Sequence, residues 1–368
     1  MATPAVNVGQ RVKYAREALR MTQEQLSKDL GFNDRQTVSD IETGKRAVKA
    51  EELGQLSDLL DRDIEFFLDP FSVVAEAKYS WRASREVPDA AFDRFEERAA
   101  GWVGMLRWLR AQWPAETSPL RFSLGLDEHS TFEQAQSSAE RLVAQFNLGP
   151  VPAVKLVQFV EAELDIPVLF VDTGSEPQQA AISGAACHLT ELGAVLVNRK
   201  EPLARRNFDL AHEVFHTLTW ERMPPAHYEK KGSRTNRRVE QLADNFAAAL
   251  LMPESSLDAL IDPARQKDAE HLADVAAQLL VSTEALGWRL RALGRIDEAT
   301  RKVLAKTRRA ELVGETPKLF SPRFVKELHA ALDRGRVTAR KAAKTLDMSL
   351  SDMSQLFVAY ELTDPLRS

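Results

Sequence analysis

The sequence predicts a mainly α protein with one small α+β domain inside it. Three observations predict this. From Val8 to about Phe71 the apolar residues recur at helical spacing, in short runs that glycines end. Between Ile166 and Asn198 the apolar runs shorten, lose the helical period and are separated by turn residues, which reads as strands. From Phe208 onward the helical period returns. These shifts divide the chain into residues 7–70, 71–130, 131–262 and 263–368.

Composition narrows the function classes. At 368 residues the chain exceeds one average domain, so two or three are expected. The net charge of −5 gives no global basic signature, so any nucleic-acid binding must come from a local patch. The single cysteine, Cys187, excludes an intrachain disulfide; it suits a reducing compartment and reads as a small core residue. No apolar run approaches the roughly 20 residues of a membrane helix. Met1 to Gln10 lacks a charged-then-apolar leader. The expectation is a soluble cytoplasmic protein with no membrane partner.

In the first segment, Val12, Ala15, Ala18 and Leu19 give one helix face. Thr22 caps a second helix, with Gln25 at the third position completing a capping box, and Gly31 ends it. A turn at Phe32-Asn33-Asp34 leads to a third helix, Arg35 to about Thr43, with Val38 and Ile41 facing inward and Gly44 at its end. Leu53, Leu56, Leu59 and Leu60 give a fourth helix, and Ile64 to Phe67 a short fifth. Two helices joined by a short turn form the unit whose second helix enters the DNA major groove. M-T-Q-E-Q-L-S-K-D-L-G-F followed by Q-T-V-S-D-I-E-T-G-K-R resembles the Cro/repressor (XRE) family of helix-turn-helix regulators, over residues 7 to 68. The resemblance implies that Arg35, Gln36, Thr37 and Asp40 face the bases, Gln36 suiting adenine and Arg35 guanine. It implies that Gln23, Thr43, Lys45 and Arg46 meet phosphates. It also implies a homodimer on pseudo-palindromic double-stranded operator DNA. The competing reading is a helical interaction domain, because Asp34 and Asp40 dilute the positive charge of the surface.

Ser72 to Trp113 reads as a helical connector carrying Tyr79, Trp81, Phe92, Phe95, Trp102, Trp108 and Trp113. At helical positions these aromatics are core or dimer-interface residues rather than base-stacking ones. Pro114 to Ser130 reads as a linker.

The α+β segment opens with helices over Phe132 to Phe146 and Ala153 to Leu164. Strands follow at Ile166 to Val171, Ala180 to His188 and Ala194 to Asn198. His188 reads as a solvent-facing strand residue, with substrate contact the sharper alternative.

The chemistry concentrates in His212-Glu213-Val214-Phe215-His216. On a helix, positions i and i+4 share a face, so both imidazoles can reach one ion. Glu213 stands about 100° round the helix from His212 and reaches the water position without competing as a ligand. Phe208, Leu210, Ala211, Val214, Phe215 and Leu218 are apolar, so the helix is buried, and buried polar groups are costly unless paired or bound to a metal. A catalytic zinc site takes three protein ligands. The third candidate is Glu240, on a second helix ended by Pro253. Asp244, one turn on, would accept the free ring N–H of a ligand histidine.

F-D-L-A-H-E-V-F-H-T-L followed by E-Q-L-A-D-N-F-A-A-A-L-L-M-P resembles the ImmA/IrrE group of zinc metallopeptidases. G-A-V-L-V-N ending at Asn198 and Arg205-Arg206-Asn207-Phe208 fit the same pattern, and the resemblance spans residues 135 to 260. It implies a zincin-like domain with zinc on His212, His216 and Glu240 and Glu213 as general base. It implies substrate held by strand addition at the sheet edge near Ser183 and Gly184. The family often has glycine where Phe215 stands, which bears on substrate fit. In the loop from Met223 to Arg238, His227 and Tyr228 are candidate oxyanion contacts, with a solvated loop the simpler reading.

Beyond it, Leu272 to Leu280 and Glu284 to Leu293 form a helix pair. Phe324 to Leu332, Thr338 to Leu346 and Leu350 to Tyr360 form a C-terminal helical bundle. Arg334, Arg336, Arg340, Lys341 and Lys344 make a basic stretch: a solvated face by default, otherwise a second nucleic-acid contact or a docking surface.

Together these features point to a DNA-binding transcriptional regulator with a zinc-dependent peptidase domain that acts on a repressor or other partner protein. The alternative is an autoregulating repressor or antitoxin whose peptidase-like domain binds a toxin or effector without cutting it. A purely architectural helical protein would leave both motifs unexplained.

Overall fold

The computed structural model describes residues 4–74, 76–83, 89–112, 123–173, 182–190, 192–225, 234–307 and 314–366. Five helices form the N-terminal domain: α1 (Pro4–Ala18), α2 (Gln23–Asp29), α3 (Arg35–Glu42), α4 (Ala50–Leu60) and α5 (Ile64–Leu68). At the start of α2 the Gln25 N–H donates to the Thr22 hydroxyl, while the Thr22 N–H donates to the Gln25 side chain. Gly31 and Gly44 take φ of +71° and +72°, the left-handed turn that ends each helix. Val12, Leu26, Val38, Ile41, Leu56 and Phe67 close a core of their own.

The next segment departs from the helical connector expected over 72–113. Residues Lys78–Ala83 form a strand, β1, and the helix α6 begins only at Asp89, running to Gln112. The reason is visible in the side chains. Tyr79 and Trp81 stack on each other, and Trp81 meets Phe92 and Phe95 of α6 edge-on. These four aromatics share one core: Tyr79 and Trp81 stand two apart, on one face of a strand, whereas Phe92 and Phe95 stand three apart, on one face of a helix. Trp113 and Pro114, Thr117, Ser118 and Pro119 of the expected linker lie outside the described residues.

After α7 (Phe132–Gln145) the expected helix over 153–164 is irregular. It comprises a 3-10 turn (Pro152–Val154), a short helical turn α8 (Leu156–Gln158) and a wide π turn (Phe159–Glu163). Strands β2 (Val168–Val171), β3 (Ile182–Leu189) and β4 (Leu192–Asn198) follow, then the long helices α9 (Leu203–Thr219) and α10 (Arg234–Leu251). The remainder is helical: α11 (Glu254–Leu260), α12 (Ala269–Gln278), α13 (Thr283–Ala292), α14 (Glu298–Lys306), α15 (Pro322–Asp333), α16 (Ala339–Leu346) and α17 (Leu350–Ala359).

The sheet order is β1-β3-β4-β2. The β1/β3 and β3/β4 pairs are antiparallel and β2/β4 is parallel. Both faces of the sheet are covered, which is why β2, β3 and β4 are mostly apolar, while the edge strand β1 also carries Lys78, Ser80 and Arg82. Val195 and Val197 face a core with Leu210, Val214 and Phe215 of α9, Leu242 and Phe246 of α10, and Leu272 and Leu286 beyond. Ala194 and Leu196 face the other way, toward Trp102 and Leu106 of α6, Phe324 of α15, Leu346 of α16 and Phe357 of α17. The chain before the α+β segment and the last three helices therefore meet on the sheet's far side. Gly104 lets α6 close on Phe71, since a Cβ at 104 would stand 1.7 Å from the Phe71 carbonyl oxygen.

The C-terminal basic stretch is partly a docking surface. Lys341 Nζ lies 2.9 Å from Glu65 and 3.0 Å from Asp69, beside α5 of the N-terminal domain, and Arg336 donates to the Gln112 carbonyl. No described helix is long and apolar enough to cross a membrane.

Candidate metal centre

Helix α9 is buried continuously from Asp209 to Thr219, so its polar side chains depend on partners for their stability. His212, Glu213 and His216 are each 1% exposed. Helix α10 packs beside it, with the Phe215 and Phe246 rings 5.4 Å apart. The bulk of Phe215 thus lies in the core between the two helices, where it also edges the His216 ring.

The two helices bring three donor atoms together. His212 Nε2 lies 3.0 Å from His216 Nε2 and 3.1 Å from Glu240 Oε2, and the last two are 3.5 Å apart. A tetrahedral zinc site with arms of about 2.0–2.1 Å has edges of about 3.3–3.4 Å. The observed triangle matches such a face. Three lone pairs aimed at one buried point repel unless a cation or shared protons hold them. The charges point the same way. The carboxylates of Glu213, Glu240, Asp244, Asp209 and Glu201 outnumber the guanidinium groups of Arg82 and Arg205, an excess of negative charge that a divalent cation would reduce.

Behind His212, its Nδ1–H donates to Asp244 Oδ1 over 3.0 Å. Burial and the Arg82 charge push the His212 imidazole down, but the hydrogen bonds to Asp244 and Glu240 outweigh them and raise it to about 10. Burial holds the His216 imidazole below its usual value. Loss of water would raise the Glu240 and Asp244 carboxyls, yet the facing imidazoles bring both below the ordinary carboxylate range. Asp209 goes the other way, pushed up by burial against the pull of Arg82 and Arg205.

Glu213 sits over β3. A Cβ on Gly184 would stand 2.9 Å from the Leu196 carbonyl oxygen, so the bare backbone at 184 lets β3 close on β4, and Glu213 Cγ lies at ordinary contact distance, 3.7 Å, from the same point. Gly184 pairs across the sheet with Arg82 of β1, whose guanidinium ion-pairs with Asp209. β3 is therefore not the edge expected near Ser183 and Gly184. Strand β1 covers it, and the Ser183 hydroxyl donates to the Arg82 carbonyl. His188 is not solvent-facing either. Its ring stacks on Trp220 at 5.2 Å, with Nε2 3.4 Å from Glu221. His227 and Tyr228 lie outside the described residues.

Arg82 and Asp209 join the site without having been singled out in the sequence. Asp209 lies on α9 one turn before His212, where a period of three to four could have flagged it. Arg82 belongs to a strand that read as helix.

In the N-terminal domain, Arg35 and Gln36 are exposed at the start of α3, and Gln36 donates to Asp40 over 2.8 Å. Thr37 is half-buried, and its N–H donates to Asp34, the cap of α3. Thr43 and Lys45 are exposed beyond the helix. Gln23 donates to Glu42, and Arg46 pairs with Glu52 while lying over the Phe32 ring, so both are held in place.

Residues 12–67 match the Helix-turn-helix family, and residues 163–291 match the IrrE N-terminal-like domain family. No curated protein matches the chain. Among solved structures the chain is similar to the competence regulator ComR from Streptococcus vestibularis in complex with its cognate signaling peptide XIP. That match has 13% identity, covers 98% of this chain and 100% of that one, and has a TM-score of 0.16.

Proposed function

We propose that this chain, which joins an XRE-type helix-turn-helix domain to an ImmA/IrrE-type metallopeptidase-like domain, is a sequence-specific transcriptional regulator whose second domain is a zinc-dependent peptidase acting on a repressor or other partner protein. The observation that supports it best is the convergence of His212, His216 and Glu240, one ligand atom each, within 4.8 Å of one another. Those three residues would hold zinc, and Asp244 would fix the His212 tautomer through its Nδ1–H. Zinc, when bound, supplies a Lewis acid that brings the pKa of a water toward neutrality. Glu213, buried beside Gly184, takes the proton of the attacking water on its carboxylate and returns it to the leaving amide nitrogen. The buried walls of α9 and β3 exclude other water from that transfer.

At the other end, Arg35, Gln36, Thr37 and Asp40 read bases in the major groove of double-stranded operator DNA. Gln23, Thr43, Lys45 and Arg46 set register on phosphates. A homodimer in the cytoplasm would place two such helices on a pseudo-palindrome.

Both halves have direct tests. In cells expressing the chain, protein termini generated by the wild type should vanish with Glu213→Gln while bound zinc is retained; identical termini in both strains would remove the peptidase reading. On a duplex selected by the wild type, Arg35→Ala and Gln36→Ala should each lose affinity and relax base preference. Unchanged binding would remove the DNA reading.

A further inference from the structure

We infer that Arg82 is a positioning residue of the metal centre, clamping Asp244 of α10 and Asp209 of α9 so that the Asp244 carboxylate stays on the His212 ring; this rests on the metal reading above. Arg82 lies outside residues 163–291, on a strand that follows the N-terminal domain directly. It faces α9 because β1 alternates: Tyr79 and Trp81 turn to the aromatic core on the far side of the sheet, and Arg82 turns the opposite way.

There its guanidinium spans two helices. Nε lies 3.3 Å from Asp209 Oδ1, and Nη2 lies 3.9 Å from Asp244 Oδ1. Phe208 lies 5.8 Å beneath the guanidinium carbon. The other Asp209 oxygen is 3.6 Å from Arg205. The Asp244 oxygen near Arg82 is the one that accepts from His212 Nδ1. Asp209 is 2% exposed and enclosed, whereas the Asp244 side chain is 52% exposed. Arg82 therefore links the carboxylate that solvent can reach to the one that is enclosed. A planar fork can span two carboxylates in this way, whereas an ammonium is a point donor. The segment between the DNA-binding domain and the peptidase-like domain would thus complete the metal centre.

The test measures zinc affinity of the full chain by competition with a chromophoric chelator, for wild type, Arg82→Met and Arg82→Lys. The visible spectrum of each Co2+-loaded protein is recorded alongside. Loss of an outer partner of a metal-bound histidine weakens binding by about 10–100-fold. That range is the ceiling for Arg82→Met, which acts through Asp244; a loss below it is expected, with an altered Co2+ band, and Arg82→Lys should not restore wild-type values. Three results would overturn the inference: Arg82→Met matching wild type in affinity and spectrum, Arg82→Met binding zinc more tightly because a repelling charge is gone, or Arg82→Lys behaving as wild type because charge alone matters. Far-UV circular dichroism of the metal-free proteins checks folding. Should Arg82→Met fail to fold, Arg82→Lys and its Co2+ spectrum decide. A wild type that binds no zinc refutes the metal reading itself, a different outcome from equal binding by all three.

Discussion

His212 Nδ1 and Asp244 Oδ1 stand 3.0 Å apart, and this bond joins α9 to α10 directly behind the converging ligand atoms. With the ring proton held on Nδ1, a bound metal would meet the Nε2 lone pair, since Nε2 is the atom turned toward His216 and Glu240. Asp244→Ala truncates a side chain that is itself half exposed and leaves the Nδ1–H of the buried His212 without its acceptor. The expected result is zinc binding weakened by about 10–100-fold with the fold intact. Chelator competition and a thermal melt of the metal-free protein check it together.

The DNA-binding domain depends on a buried ion pair. Arg16 Nε lies 2.6 Å from Glu42 Oε1, with side chains 8% and 2% exposed, and Gln23 also donates to Glu42. Glu42→Ala leaves the Arg16 guanidinium buried with its main countercharge gone. Breaking such a pair costs about 3–5 kcal/mol. Chemical denaturation should show the N-terminal domain unfolding at lower denaturant than in the wild type; an unchanged transition would show that water replaces the partner.

The lone thiol offers a check on the sheet. Cys187 is 1% exposed on β3, and burial pushes its pKa far above that of a free thiol. A raised thiol pKa means the protonated, unreactive form at neutral pH. The native chain should therefore resist an aromatic disulfide reagent, and one thiol per chain should react once it is denatured. Rapid reaction of the native protein would place β3 at an open surface.

The converging side chains were more legible in the sequence than the architecture around them. The spacing of His212 and His216 is a local property of one helix, and Glu240 and Asp244 repeat that property on a second, so each shared face was legible from periodicity, whereas the meeting of the two faces is a property of the fold. Helix ends were legible for the same local reason, as the Thr22–Gln25 capping box and the φ values of Gly31 and Gly44 show. What escaped was non-local. Strand β1 is defined by its pairing with β3, more than a hundred residues away in the chain. Its two aromatics, Tyr79 and Trp81, show the strand period once only, too short a signal beside the long helical pattern of α6. Arg82 could not be assigned to the site until that pairing was known. Lys341 gave no sign in the sequence that its partners would be Glu65 and Asp69 near the other end of the chain.

The most direct measurement is the metal content of the full chain purified without chelators, beside His216→Ala, with X-ray absorption at the zinc edge on the wild type. One zinc per wild-type chain is expected, bound by two imidazole nitrogens and a carboxylate oxygen, and lost in His216→Ala. A wild-type chain that neither holds nor takes up stoichiometric zinc, or a His216→Ala chain that holds as much, would rule out a metal at this site.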